Sequence, residues 1–430
     1  MLTIRFWLFA FHSTLDVHLY NPHRAQDDDV GFLITMTKKK SVIFIFSLLV
    51  IIGFAGFMYQ LAGKTPERAW QAYLINFLLW SAIAQGGLLF SIVMHLTNAR
   101  WSRPVQNLAE SFAAFFPLSF ALFLVLFLGS DHLFPWLHHD LHGKEVWLNL
   151  PFLFTRDLIG LLVLYGLGLA YLYYSLRLKL DIALPQGRLR AFLHRNWSGN
   201  ERDLERCKNR MTVLSALYAL AYAFVLTLIA FDLVMSMEPH WFSTLFGPYS
   251  FVKAFYLGMG ALIILCAIIH LSKKSHSGLS SSHFHDMGKL FFAFCLIWAD
   301  FFYVQLLVIW YGNIPEETNY VIRRTVTLPW KPLAWIIFIV SFFVPFIILL
   351  NKKVKTKPAA MIALCSLVIL GLWLEHLLLI GPALNDQIST LPIGFTDGLI
   401  TLGFLGLMAL AVTSFLKLFP ELVPVTTEDM

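Results

Sequence analysis

Charge is scarce in this chain, and so is any arrangement of cysteine that could hold a metal. Only 13% of its 430 residues are Asp, Glu, Lys or Arg, against 58% hydrophobic, with a mean hydropathy of +0.69. Soluble domains carry roughly a quarter charged residues, so this balance excludes an ordinary water-soluble fold. The four cysteines, Cys207, Cys266, Cys295 and Cys365, stand far apart. No C-x-x-C, C-x-x-C-H or ferredoxin-type run occurs, which predicts that the chain alone holds neither a c-type haem nor an iron–sulfur cluster. A transmembrane haem b needs two axial histidines at matching depth on facing helices. His95 and His270 match in depth, yet each abuts a polar loop, where a solvated histidine is the plainer reading.

What the chain has instead is ten apolar stretches of about twenty residues, each able to cross roughly 30 Å of hydrocarbon as a helix. They fall near 41–61, 73–95, 109–129, 153–176, 212–236, 249–272, 287–311, 330–350, 359–380 and 395–416. The expected fold is an all-α polytopic membrane protein, surrounded by lipid and not by nucleic acid. The N-terminal arm, the loops 96–108, 177–211, 273–286 and 351–358 and the C-terminal tail hold 23 of the 32 Lys and Arg; the alternate loops hold five. The positive-inside rule then makes both termini cytoplasmic. Loop 177–211 alone carries nine Lys or Arg, read either as a retention signal attracted to anionic headgroups or as a docking site for a cytoplasmic partner.

Residues 1–35 contain Asp27-Asp28-Asp29 and only a short apolar patch, and Met36-Thr37-Lys38-Lys39-Lys40 directly precedes the first span. Residues 1–35 are expected to be a disordered extension or a mis-assigned start, with 36–430 one transmembrane domain. Met94-His95-Leu96-Thr97 ends the second span and Ile269-His270-Leu271-Ser272 the sixth. This faint repeat suggests two four-helix bundles, spans 2–5 and 6–9, flanked by spans 1 and 10.

Ionisable residues within the spans are expensive and mark candidate functional sites. Asp300 lies near the middle of the seventh span, with no boundary within reach to relieve it. His95, Glu110, His270 and Lys289 lie toward the basic side. Arg156, Asp157, Asp232, Lys253, Glu375 and His376 lie toward the opposite side, followed in the fifth loop by Glu238, His240 and Trp241. Arg156-Asp157 also reads as helix-terminus chemistry, and Asp232 to Trp241 as an interfacial helix end. Asp300 resists both explanations. Gln85 is similarly deep in the second span. In loop 130–152, His132, His138, His139 and His142 beside Asp131 and Asp140 form either a passable metal-ligand cluster or a hydrated loop.

Several blocks together resemble one family. They are Phe90-Ser91-Ile92-Val93-Met94-His95-Leu96-Thr97-Asn98-Ala99-Arg100-Trp101-Ser102 with Leu108-Ala109-Glu110-Ser111, then Trp147-Leu148-Asn149-Leu150-Pro151-Phe152. Met235-Ser236-Met237-Glu238-Pro239-His240-Trp241 behind Asp232, Asp286-Met287-Gly288-Lys289-Leu290 and, above all, Trp310-Tyr311-Gly312-Asn313-Ile314-Pro315-Glu316-Glu317-Thr318 complete the set. From about residue 80 to 350 the chain is similar to the ActF subunit of bacterial alternative complex III, an NrfD-like integral membrane subunit. Residues 1–35 fall outside the resemblance.

The resemblance implies ten helices in two bundles, a bacterial inner membrane, and residence in a quinol-oxidising respiratory complex. The implied partners are multihaem cytochrome c subunits, an iron–sulfur subunit and a second NrfD-like membrane subunit. Haems and iron–sulfur clusters would sit in those partners, with quinol as the only ligand in question for this chain. The expected role is a non-redox subunit of the electron-transport complex, not catalytic alone, that supplies a scaffold and a proton path. That path would use Asp300 as central relay, Lys289 and His270 toward the cytoplasm, and Asp232, His240, Glu375 and His376 toward the outside. One alternative is a quinone pocket at the outer face built from Asp232, Glu238, His240, Trp241, Arg156 and Asp157. Another class is a secondary transporter with Asp300 as coupling-ion site, for which Gly86-Gly87, Pro117 and Pro345 are the hints of broken helices.

Overall fold

The computed structural model describes residues 40–424 except 139, 140, 142, 181–187, 196, 198, 274–277 and 386–389. The expected extension 1–35 and the start at Met36 lie outside the described residues, as do His139, Asp140 and His142 of the histidine-rich loop. Among the described residues there is no strand, and ten helical segments are long and apolar enough to span a membrane. They are Ser41–Leu61, Pro66–Leu96, Arg100–Leu133, Leu150–Lys179, Glu201–Met237, Phe246–Lys273, Ser281–Gly312, Trp330–Leu350, Pro358–Leu384 and Phe395–Leu418, spans 1 to 10 below. The chain is an all-α polytopic membrane protein. We call the side holding the basic loops 97–108 and 177–211 the basic face, and the other the far face.

Burial sorts the spans. In the apolar window of span 2, 83% of residues are buried, and in span 6, 67%; in spans 1 and 7 the share is 17%. Spans 2 and 6 are therefore the axis of the molecule, one from each four-helix unit. Two glycines let them touch. A Cβ on Gly86 would stand 2.1 Å from the Ala254 carbonyl oxygen, and one on Gly258 2.3 Å from the Gly86-Gly87 backbone. Small residues at such crossings drive helix association where lipid removes the hydrophobic drive. Gly86 thus marks a helix crossing, and span 2 runs through it as one unbroken helix.

Spans 2–5 pack together, as do spans 6–9, and spans 1 and 10 flank them on a single side. Spans 1 and 10 run along each other, with a Cβ on Gly53 meeting the Cα of Gly403 at 2.4 Å. Both rest on the first bundle, where Arg68 pairs with Asp397 at 3.1 Å.

Two prolines coincide with departures from α-helical winding in their spans. Pro117 stands in the first turn of the α-helical part Phe116–Leu126 of span 3, and the preceding Glu110–Phe115 winds as a 3-10 helix. Pro345 lacks the N–H that would bond Ser341, and Ile339–Phe343 widens into a π-helix. The Ser341 carbonyl accepts instead from the Tyr256 hydroxyl at 3.4 Å. The loop 312–329 contains a further short helix, Pro315–Thr325. Pro315 begins it, Glu316 and Glu317 fill its first turn and Arg323 and Arg324 its last, each charge complementing the helix dipole.

Candidate functional site

Polar side chains inside the spans gather into clusters that step from the basic face toward the far face. The first centres on Glu110, whose side chain is fully buried because the 3-10 turn directs it between spans 2 and 4. One carboxylate oxygen accepts from Ser91 at 3.0 Å, Ser175 at 2.7 Å and Lys179 at 2.7 Å. Its second oxygen is buried without a hydrogen-bond partner among the described residues. Ser91 also meets the Tyr171 hydroxyl at 3.0 Å. Lys179, in the last turn of span 4, keeps 24% of its side chain exposed and so ties the cluster to the basic face.

One and a half turns further along the same helices stands a second cluster. Gln85 donates to the Tyr165 hydroxyl at 2.9 Å, Tyr165 meets Ser119 at 2.7 Å, and Ser119 meets Ser81 at 2.5 Å. Phe116 stacks on Tyr165 with ring centroids 4.6 Å apart and holds its orientation. Six residues separate Tyr165 from Tyr171, and six separate Gln85 from Ser91, so a step of about 9 Å lies between the clusters. Gly168 occupies it, packed against Phe116, Leu88 and Tyr218.

Ser81 and Gln85 then line a cavity of about 50 Å³ at the junction of the two bundles, together with Ser250, Lys253 and His376. That is room for a few waters; the wall is mostly apolar, and these five side chains are the polar groups on it. From the cavity wall Lys253 donates to Glu375 at 2.9 Å, and the Tyr249 hydroxyl donates to the same carboxylate oxygen. The other Glu375 oxygen is buried without a partner among the described residues. Lys253, Glu375 and His376 are all buried, and His376 is held by Leu372 through its Nδ1 at 2.8 Å.

Two further groups close the far face. Arg156 grips Asp232 through two hydrogen bonds of 2.5 and 2.6 Å and donates to the Trp147 carbonyl at 2.9 Å, with the Trp147 ring 4.0 Å from its guanidinium. Asp157 lies against Asp232, and both its oxygens are buried. Two carboxyls thus face one guanidinium. Alongside, Glu238 accepts from Arg323 and Arg324, each at 3.2 Å. Arg324, Tyr320 and Trp241 form a stack, with the guanidinium 3.6 Å from the Tyr320 ring and Tyr320 3.7 Å from Trp241. Burial pushes the Tyr320 phenol up to about 12, against the opposing pull of Arg324, so it is a neutral donor at ordinary pH.

The residues picked from sequence are not brought together as one path. His376 lines the cavity and Glu375 is bonded to Lys253 on its wall, and Arg156, Asp157 and Asp232 meet each other. Glu238 and Trp241 belong to the separate arginine-capped group, and His240 is exposed. Lys289 is exposed and pairs with Asp286 at 2.9 Å; His270 packs its ring on Phe284. Asp300 departs most from expectation. It is exposed on the outer surface of span 7, away from every cluster above, because that helix covers the bundle with only a narrow side. His95, weighed as a haem ligand, contacts Thr212 at 3.3 Å, and His132 lies 3.8 Å from Glu67. Among the described residues no three His, Cys, Asp or Glu side chains gather as a metal would need.

Sequence reasoning missed Lys179, Tyr171, Tyr165, Ser81, Ser119, Ser175 and Tyr249, and saw Glu110 only as an end-of-span acid. A signal existed: Ser81, Gln85 and Ser91 mark one apolar helix, and Tyr165, Tyr171 and Ser175 another. Compared with known proteins, the chain matches no family model and no curated sequence.

Proposed function

We propose that this chain is a non-redox membrane subunit of a quinol-oxidising respiratory complex, and that it carries protons along the clusters just described. The observation that carries the reading is the buried polar series Lys179, Glu110, Ser91, Tyr171, Gln85, Tyr165, Ser119, Ser81, Lys253 and Glu375. It runs diagonally from the basic side of the first bundle to the far side of the second, through the water-sized cavity between them. Burying so many hydroxyls and charges costs free energy unless each is hydrogen-bonded, and here the bonds link them within three groups, with a step of about 9 Å between the first two and the cavity between the second and third. By the resemblance to ActF, quinol oxidation at a second NrfD-like subunit supplies the protons and electrons, and an iron–sulfur subunit and multihaem cytochromes receive the electrons. By the same resemblance the membrane is the bacterial inner membrane, and the distribution of Lys and Arg makes the basic face cytoplasmic.

A quinone pocket from Arg156, Asp157, Asp232, Glu238, His240 and Trp241 has less support, because Arg156 is already paired with Asp232 and Glu238 with Arg323 and Arg324. The cavity at the junction of the bundles is lined by none of them and, at about 50 Å³, is far below the several hundred Å³ of ordinary ligand pockets. A transporter reading loses its coupling-ion site with Asp300 outside the bundles. The test is Glu375→Gln in the natively purified complex, reconstituted in liposomes. Electron transfer from quinol to a cytochrome acceptor should persist while acidification of the medium falls at least tenfold. Undiminished acidification by an assembled variant would refute the path. Purification of a lone chain that takes up solute would refute the whole setting.

A further inference from the structure

Asp300 differs from the other acids within the apolar stretches of the spans. Glu110, Asp157, Asp232, Glu375 and Asp397 are buried against hydroxyls, cations or one another. Asp300 is exposed, and among the described residues no hydrogen bond or ion pair reaches it. It stands twelve residues before Gly312 at the end of span 7, about 18 Å along the axis. A carboxyl on one methylene cannot reach a headgroup from there. Long basic side chains escape by snorkelling; an aspartate has no such length.

Its surroundings form a seam. Ala293, Leu296, Asp300, Tyr303, Leu307 and Trp310 recur at alternating intervals of three and four, the spacing of one side of a helix that packs along another. Leu296, Tyr303 and Trp310 are 38, 59 and 70% exposed, and Ala293 supplies a small residue for close approach. Apolar exposure of this kind is what lipid asks for. One carboxyl in the middle of it is not.

We infer that this side of span 7 is the docking surface for a transmembrane helix of another subunit, which presents a Lys or Arg side chain to Asp300 at mid-depth. Charge complementarity selects that occupant. A second copy related by a two-fold axis would set Asp300 against Asp300, two like charges in hydrocarbon. Lipid has no cation at this depth. A partner helix with a basic residue neutralises the carboxyl and is neutralised by it, so each chain carries one half of a pair that is costly alone. The inference is independent of the proton path.

The test is a photoreactive benzoylphenylalanine in place of Tyr303, irradiated in native membranes, with the adduct identified by peptide sequencing. The expected product joins a second polypeptide through a transmembrane helix that carries Lys or Arg within one turn of the cross-link. In Asp300→Leu the yield should fall about tenfold, the scale of one interhelical polar contact in a membrane, whereas Asp300→Glu should retain it. The same probe at Phe224, 82% exposed on span 5, should be indifferent to both substitutions. Adducts only with lipid, with a second copy or with residues 1–39 of this chain would overturn the inference. So would a partner helix without a basic residue, or a yield unchanged by Asp300→Leu. Because Asp300 has no contact inside the bundles, Asp300→Leu should melt in detergent at the parent's temperature. If that variant fails to accumulate, the composition of the helix cross-linked with Asp300 intact still decides.

Discussion

Glu110→Gln separates proton handling from assembly, and its cost can be worked from the contacts. The glutamine carbonyl keeps the acceptor used by Ser91, Ser175 and Lys179. What is lost is the negative charge opposite Lys179, and what is gained is an amide N–H₂ where the carboxylate had a buried oxygen without a partner. Breaking a fully buried ion pair costs about 3–5 kcal/mol. Lys179 keeps 24% of its side chain exposed, so it can turn to water, and membrane polar contacts average nearer 0.6 kcal/mol. A net loss of about 1–2 kcal/mol follows, small enough for the complex to assemble. The transfer step loses its titrating group and should slow by about 10²–10⁴, the range over which a positioned acid or base acts. The assay is quinol-driven electron transfer in liposomes with a trapped pH dye, recorded as protons per electron. Electron transfer should continue with that ratio sharply reduced, and Glu110→Asp should recover part of it. An assembled Glu110→Gln complex with the parent's ratio would sink the reasoning, since no other acid lies in the first cluster.

Tyr165→Phe removes the hydroxyl that joins Gln85 to Ser119; a loss of about 1–2 kcal/mol in detergent melting and a lower proton-to-electron ratio are expected, with normal assembly. Gly258→Leu drives a side chain into the Gly86-Gly87 backbone, so size-exclusion chromatography should show aggregate or no protein, while Gly166→Ala, where a Cβ meets nothing within 4 Å, should be tolerated. Arg156→Ala strands Asp157 and Asp232 without their cation and should cost about 3–5 kcal/mol; adding Asp157→Asn and Asp232→Asn should restore a good part of the melting temperature, and failure to do so would mean that Trp147 packing, not charge, holds the site.

The ten spans were legible from the sequence to within a few residues over most of their length, because crossing hydrocarbon needs a long apolar run whatever its neighbours are. The extensions beyond that were not. Span 5 begins at Glu201, well before the apolar run, because the helix continues out of hydrocarbon into the basic loop. The helix Pro315–Thr325 was hidden in a loop, since eleven residues with four charges give no spanning signal. The Gly86-Gly87 pair was visible, but its meaning required the partner glycine 171 residues away in span 6.

Sequence by itself determined depth. The position of a residue along a span places it near one face, the other or the middle, as for Glu110, Asp232, Glu375 and Asp300. Tertiary structure alone decided azimuth, which side of each helix meets the protein and which meets lipid. In water the two sides differ in polarity and the pattern shows. In lipid both are apolar, so the side chains that could distinguish them carry little of the signal. For that reason Glu110, with Ser91, Ser175 and Tyr171 converging on it from two other spans, became a buried centre, and Asp300, the acid whose position in the sequence drew most notice, faces outward.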